Sequence, residues 1–309
     1  MGFYHRSHTT KNMKELDIID RIRKRSGKPG KGLKLGIGDD CAVIKAPADS
    51  FILWAADMLV EGTHFNLKSA GYRRVGRKAV AVNISDIAAM GGEPLYVTVS
   101  IGLPRGTKAG AVDALYDGIF GICKEYGLAV AGGDTNRSER LVIDVSILGS
   151  AKNKKILTRA GAAEGDLVLI TGPVRDGKRC HLDFEPRLRE SRTLSGRYRV
   201  SSMIDTSDGI ALDMARICSG SGTGCVLYED AIPLSAGLSL KDALYYGESF
   251  ELLFTMPPSE AKKLFRDMKR KKECPFFVIG EITPPTKGRT LIRREGRKEK
   301  LKAEGFKHL

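Results

Sequence analysis

The apolar positions along the chain change period several times, and each change marks an element. Residues 14–25 place Leu16, Ile19 and Ile22 on one face of a helix. A Gly/Lys/Pro loop follows. LKLGIGDDCAVIKA (33–46) then reads as a strand, a tight acidic turn and a second strand. FILWAADML (51–59) predicts a strand ending in an acid, and residues 73–90, mostly small and apolar with basic residues early, predict a buried helix. YVTVSIGLP (96–104) alternates as a strand does and stops at proline. An amphipathic helix over 108–126, a buried strand LAVAGGDT (128–135) running into a glycine turn, and a strand LVIDVSILGSA (141–151) complete a strand-rich first half.

The second half begins with KILTRAGAAEGDLVLITGP (155–173), a Gly-Asp turn before a strand. Residues 172–198 read as loop with some helix. MIDTSDGIALDMARICSGSG (203–222) reads as strand, turn and helix with a glycine stop. YGESFELLFTMP (246–257) is a strand entered through a Gly-Glu turn, SEAKKLFRDMKRKK (259–272) a helix with a serine cap, and FFVIGEIT (276–283) a last core strand. NISDIAAMGG (83–92) and DTSDGIALDMARICSG (205–220) echo one another, which suggests two related α/β halves, each with an acid at the same kind of turn. The expected division is an N-terminal extension over 1–13, a first domain over 14–150 and a second over 151–309.

Length and composition agree with this division. A chain of 309 residues suggests about two domains and can bury a core without disulfides or a structural metal. No apolar run approaches the ~18–20 residues of a membrane span, and the polar start MGFYHRSHTTKNMKELD lacks the apolar core of a secretory signal. The six cysteines are scattered, with no CxxC pair, which argues against a zinc site and a disulfide framework and fits a cytoplasmic protein. The net charge of +14 lies largely in 21–34, 262–273 and 293–302, which look like solvated faces and loops. These stretches lack the interleaved aromatics that stack bases, so a nucleic-acid partner is not expected.

Five acidic segments carry the candidate chemistry: GIGDD (36–40), AADM (55–58), NISD (83–86), GGDT (132–135) and DTSDG (205–209). In each, aspartate sits beside Gly, Ser or Ala at the predicted end of a strand or start of a helix. Magnesium prefers hard oxygen ligands and is commonly held by one or two carboxylates plus phosphate oxygens. Converging carboxylates with metal ions form a clamp for a polyphosphate, and small neighbours let backbone N–H groups approach phosphate closely. Taken singly, each segment reads equally as a turn or a helix cap. No Walker A pattern or protein-kinase signature set occurs, and Ser and Cys nucleophile signatures are absent.

The order GIGDDCAVI, DMLVEGTHF, KAVAVNISDIAAMG, GGDT, LTRAGA, DTSDGI, GESFELLF and the ending GFKHL resembles thiamine-monophosphate kinases, within the aminoimidazole ribonucleotide synthetase-like superfamily. The resemblance runs from about residue 15 to the end. It implies a two-domain α/β (α+β) fold whose N-terminal sheet forms a barrel in a homodimer, and an ATP-dependent conversion of thiamine monophosphate to thiamine diphosphate with several Mg2+ ions. It implies Asp40, Asp57, Asp86, Asp134, Asp205 and Asp208 as metal ligands. Tyr116, Gly133, Asp134, Arg159 and Ser207 would contact ATP. His64, Glu248, Ser249 and Phe306 would meet the substrate. The acceptor is a phosphate oxygen, already anionic at neutral pH, so no general base is assigned; charge neutralisation and in-line placement suffice.

Two departures bear on the acceptor. Ala55-Ala56-Asp57 stands where the family carries hydroxyls before the aspartate, and Gly247-Glu248-Ser249-Phe250 stands where it carries an acid at the third position. A carboxylate there would suit a cationic thiazolium or a pyrimidine amine, whereas serine is neutral. Another ATP-dependent enzyme of the same superfamily with a different acceptor, and a non-catalytic relative, are the alternative readings.

Overall fold

Two mixed sheets organise the chain in the computed structural model, which describes residues 32–47, 50–152, 156–271 and 276–306, together with Ile19 and Lys24. The helix expected over 14–25 and the extension over 1–13 lie outside the described residues, save for Ile19 and Lys24, as do the last three residues of the GFKHL ending.

The first sheet contains β1 (Leu33–Leu35), β2 (Ala42–Ala46), β3 (Ser50–Val60), β4 (Glu93–Leu103), β5 (Ala129–Arg137) and β6 (Val142–Lys152), in the order β1-β2-β3-β6-β4-β5. All pairs are antiparallel except β4 with β5. The period of two along each strand divides the faces. Leu53, Ala55, Leu59, Val97, Val99, Ile143, Val145 and Ile147 point into the core. Ile52, Trp54, Met58, Tyr96 and Leu148 remain exposed on the other face.

Three helices accompany this sheet: α1 (Leu67–Ala70), α2 (Tyr72–Ala89) and α3 (Ala109–Tyr126). From Val75 onward α2 is buried at nearly every position, including the polar Lys78, Asn83 and Ser85 among its small apolar residues. Its crossing with α3 depends on two glycines. A Cβ on Gly118 would lie 1.9 Å from the Arg73 carbonyl oxygen, and one on Gly76 would lie 2.1 Å from that of Leu115.

The second sheet contains β7 (Leu167–Thr171), β8 (Ser202–Asp205), β9 (Gly224–Tyr228), β10 (Leu252–Met256), β11 (Phe276–Thr283), β12 (Arg289–Ile292) and β13 (Lys298–Lys300), in the order β13-β12-β9-β11-β7-β10-β8. Its helices are α4 (Gly177–Cys180), α5 (Leu188–Arg197), α6 (Ile210–Ser221), α7 (Leu240–Tyr245) and α8 (Pro258–Lys271). Ile210, Met214 and Ile217 of α6 pack against Ile170, Ile204 and Leu253. Leu188 and Leu194 of α5 and Leu264 and Met268 of α8 pack against Leu169, Met203 and Phe254. Burial on both faces explains why β7 and β10 read as largely apolar runs.

The halves share core residues. Ala88 and Ala89 at the end of α2 belong to the cluster under α5 and α8. Leu182, Phe184 and Phe250 from the second half join the first half's core.

Several sequence expectations are corrected. LAVAGGDT is an edge strand rather than a buried one: nearly every residue of β5 is exposed, and it pairs on one side only, with β4, running on through Gly132 and Gly133. Helix α8 starts at Pro258, so Ser259 falls inside its first turn instead of capping it; proline's fixed φ suits that position. FFVIGEIT is not the last strand, since β12 and β13 follow it. The echo between 83–92 and 205–220 is not structural: Asp86 lies within α2, whereas Asp205 ends β8 and Asp208 sits in the turn before α6.

Candidate active site

Aspartates reach the centre of the molecule from three different kinds of element. Asp40 follows the tight turn between β1 and β2, Asp86 lies in the last turn of α2, and Asp205 ends β8. One carboxylate oxygen from each lies within 4.8 Å of the other two. Asp57 adjoins this group from mid-β3, on the side shared by Leu53, Ala55 and Leu59.

Such convergence raises the acids' pKa values. Burial pushes the Asp86 carboxyl well up, and the charges of Asp57, Asp205 and Asp40 push it further. Burial likewise raises Asp205, as does Asp40, while the Ser85 hydroxyl, donating to Asp205 Oδ2 at 2.7 Å, works against this. Asp39 rises to about 6 through burial and its neighbour Asp40, with Arg159 opposing.

Arg159 supplies the nearest positive charge. Its Nη2 donates to Asp40 Oδ1 at 2.5 Å, and its backbone N–H donates to Asp39 Oδ2 at 3.2 Å. Burial works against the guanidinium charge, but Asp40 and Asp39 more than offset it. The other Asp40 oxygen, Oδ2, is buried without a hydrogen-bond partner. A buried carboxylate oxygen of this kind, with two more carboxylates beside it, matches what a hard divalent cation requires.

A cavity of about 560 Å³ opens beside the cluster. Asp57 belongs to its wall, together with Met58, Val60, His64, Val82, Ser207, Glu248 and Phe250. His64 Nδ1 accepts the Val60 N–H at 3.0 Å, which leaves its Nε2 as the N–H of the neutral ring. The turn at 247–250 is fastened to 206–207: Glu248 N–H donates to the Ser207 carbonyl at 2.8 Å and Phe250 N–H to that of Thr206 at 3.1 Å. Within it Glu248 and Phe250 adopt φ of 55° and 52°, the only positive values outside glycine among the described residues. Non-glycine residues rarely take this conformation, and it concentrates at functional sites.

Comparison with known proteins agrees with this arrangement. Residues 38–151 match the N-terminal domain model of AIR synthase related proteins, and residues 181–292 match the C-terminal one. Thiamine-monophosphate kinase of Buchnera aphidicola subsp. Schizaphis graminum is 36% identical, covering 95% of this chain and 98% of the relative. That of Escherichia coli K12 is 32% identical over the same shares. A solved structure described as AaThiL complexed with AMPPCP and TMP superposes with a TM-score of 0.82 at 27% identity, covering 100% of both chains. The chain belongs to the thiamine-monophosphate kinase family.

The residues expected from the thiamine-monophosphate kinase resemblance fall into three groups. Asp40, Asp86 and Asp205 come together, with Asp57 and Arg159 beside them. His64, Ser207 and Glu248 line the cavity, and Phe306 adjoins it, its ring centroid 6.4 Å from that of His64 and its N–H on the Asp208 carbonyl.

The others stand apart from the three-carboxylate group. Asp208 pairs with Arg216 at 2.5 Å. Asp134 lies on the exposed edge strand β5, where Asn136 donates to it at 2.6 Å. Gly133 packs tightly on β4, since a Cβ there would lie 1.9 Å from the Val99 carbonyl oxygen. Tyr116 sits on α3, its ring 5.7 Å from Phe120. Ser249 is buried and meets the Thr206 hydroxyl at 3.3 Å. Glu248, one position earlier, reaches the cavity wall.

Two residues of the site were not singled out from the sequence. Lys78 is fully buried and contacts Glu248; in the sequence it follows Arg73, Arg74 and Arg77 as part of the basic start of α2, so no local signal set it apart. His181 adjoins the same carboxylate at 3.5 Å from a segment without pattern.

Proposed function

We propose that this chain phosphorylates thiamine monophosphate with ATP, giving thiamine diphosphate and ADP. One observation carries the reading: Asp57 belongs both to the wall of the apolar cavity and to the surroundings of the carboxylate cluster. An acceptor held in the cavity therefore has its phosphate end beside the acids. Met58, Val60, Val82 and Phe250 suit a flat heteroaromatic body, and Glu248 and His64 supply polar contacts.

Asp40, Asp86 and Asp205 would hold Mg2+ with Asp57 beside them, and Asp134 and Asp208, which stand apart from that group, would hold further Mg2+ ions. Bound there, magnesium would neutralise the phosphate charge that builds up during transfer. Arg159, anchored on Asp39 and Asp40, brings a permanent positive charge to the same place. Gly133, Tyr116 and Ser207 are assigned to ATP. In the transfer, an acceptor phosphate oxygen forms a bond to the γ-phosphorus as the bond to the β–γ bridging oxygen breaks, and ADP departs. The attacking oxygen is already ionised, so no side chain has to remove a proton. The cavity's task is to align it and exclude water.

A second copy of the chain is the proposed partner, covering the exposed apolar face of the first sheet. We place the protein in the cytoplasm, on the scattered spacing of its six cysteines. The division at about residue 150 is retained as the domain boundary.

The test is direct: purified protein with ATP, magnesium and thiamine monophosphate should yield thiamine diphosphate, and Asp205→Asn should reduce the rate by about 100-fold or more. ATP binding without product on any thiamine phosphate would instead identify a relative with a different acceptor.

A further inference from the structure

Three polar groups meet behind the cavity wall, around a lysine. Lys78 lies mid-way along α2 with none of its surface exposed. Its ammonium donates to the His64 carbonyl oxygen at 2.9 Å and to a Glu248 carboxylate oxygen, and it meets His181 Nδ1 at 2.6 Å. An ammonium carries three protons, and each has a partner here. Two of the three partners, His64 and Glu248, belong to residues of the cavity wall.

A charge in this position is costly. Burial lowers the Lys78 pKa, while Glu248 and Asp57 oppose that shift. Val75, Ala79, Val80 and Val82 around it are buried and apolar, so a Met or Leu at 78 would fit the helix's pattern at less expense. His181 is kept neutral, its pKa depressed to about 4 by burial and then by Lys78 and Arg74. Its Nδ1 thus remains an acceptor at neutral pH. Glu248 itself occupies a strained turn with φ of 55°, and Phe250 on the same turn stacks on Phe184 at 4.1 Å.

We propose that Lys78 is a positioning residue for substrate selection: it holds the Glu248 carboxylate and the His64 main chain in place as parts of one cavity wall, and so presents Glu248 as the hydrogen-bond acceptor that replaces the carboxylate missing at Ser249. The ligand class it selects is a heteroaromatic cation carrying an exocyclic amine. The inference rests on the thiamine-monophosphate reading. Paired with Lys78, Glu248 acts as an oriented acceptor rather than an isolated buried anion. Lys78 itself stays behind the wall and acts through Glu248 and His64.

Steady-state kinetics of wild type, Lys78→Met, Glu248→Gln and the double variant, varying thiamine monophosphate and ATP separately, tests this. Each single variant should raise KM for thiamine monophosphate by about 10-fold or more and leave KM for ATP within about twofold. The double variant should rise no further than the worse single, because both act through one contact. A folded Lys78→Met with wild-type KM for thiamine monophosphate overturns the proposal. So do parallel rises in both KM values, or single effects that multiply in the double. If Lys78→Met fails to fold because the buried Glu248 carboxylate loses its ammonium partner, the double variant removes both charges. Its KM then decides: raised supports the proposal, unchanged overturns it. A wild type that makes no thiamine diphosphate removes the premise and the proposal with it, whereas an active wild type beside an unaffected Lys78→Met removes the proposal alone.

Discussion

Each aspartate of the cluster raises the cost of burying the next, because like charges share a region short of water. That cost gives a stability test separable from turnover. Magnesium should raise the melting temperature of wild type, since a ligand that binds only the folded state stabilises it. Asp205→Asn should lose most of that rise, yet melt no lower than wild type in EDTA, because it removes one of the repelling charges. Thermal unfolding with and without magnesium reads both outcomes. His181 supplies a pH-dependent case. Its folded pKa of about 4 lies below the ordinary 6.5. Between those values the unfolded chain takes up a proton that the folded protein refuses. Its contribution to stability is therefore full above pH 6.5 and is lost as pH falls towards 4. His181→Gln should flatten that part of the acid limb relative to wild type, as measured by urea denaturation across the range.

Among the elements, the α2–α3 crossing leaves no room for added volume at Gly118. Gly118→Ala would set a Cβ against the Arg73 carbonyl and should destabilise the fold by about 1–3 kcal/mol, a loss visible in the chemical denaturation midpoint. Whether an element was legible in the sequence followed its burial. Strands β3, β4 and β6 alternate because one face is covered, and β7 and β10 are largely apolar because both faces are. Strands β12 and β13 were missed because Arg289, Lys298 and Lys300 interrupt any apolar pattern, and pairing at the end of a sheet requires none. Asp57 and Asp86 were expected at the end of a strand or the start of a helix; Asp57 lies inside β3, short of its end, and Asp86 in the last turn of α2. Small neighbours there serve close packing as much as chain reversal, and local sequence does not distinguish the two. Of the two neighbours expected at the substrate, Glu248 lines the cavity and Ser249 does not: the turn with positive φ at 248 and 250 sets the Ser249 hydroxyl against Thr206.

At the level of the whole molecule, the site is made by bringing together residues far apart in sequence. Asp40, Asp86 and Asp205 come from different sheets and a helix, so no spacing rule connects them; only the ordered set of motifs did. The same folding leaves Ile52, Trp54, Met58, Tyr96 and Leu148 exposed on one sheet face, larger apolar side chains than a monomer usually groups together. Leu148→Glu, opposite Trp54 on that face, should convert a dimer into a monomer in sedimentation velocity, because a buried unpaired carboxylate is poorly tolerated at an interface.

That face also carries its own optical probe. Trp54 is the single tryptophan of the chain, half exposed on β3, with its indole N–H on the Ser146 hydroxyl at 2.6 Å. Its emission therefore comes from one known position on the proposed contact surface, without background from elsewhere. A blue shift as protein concentration rises would register the loss of water from that surface, so association can be titrated by fluorescence on the unlabelled protein.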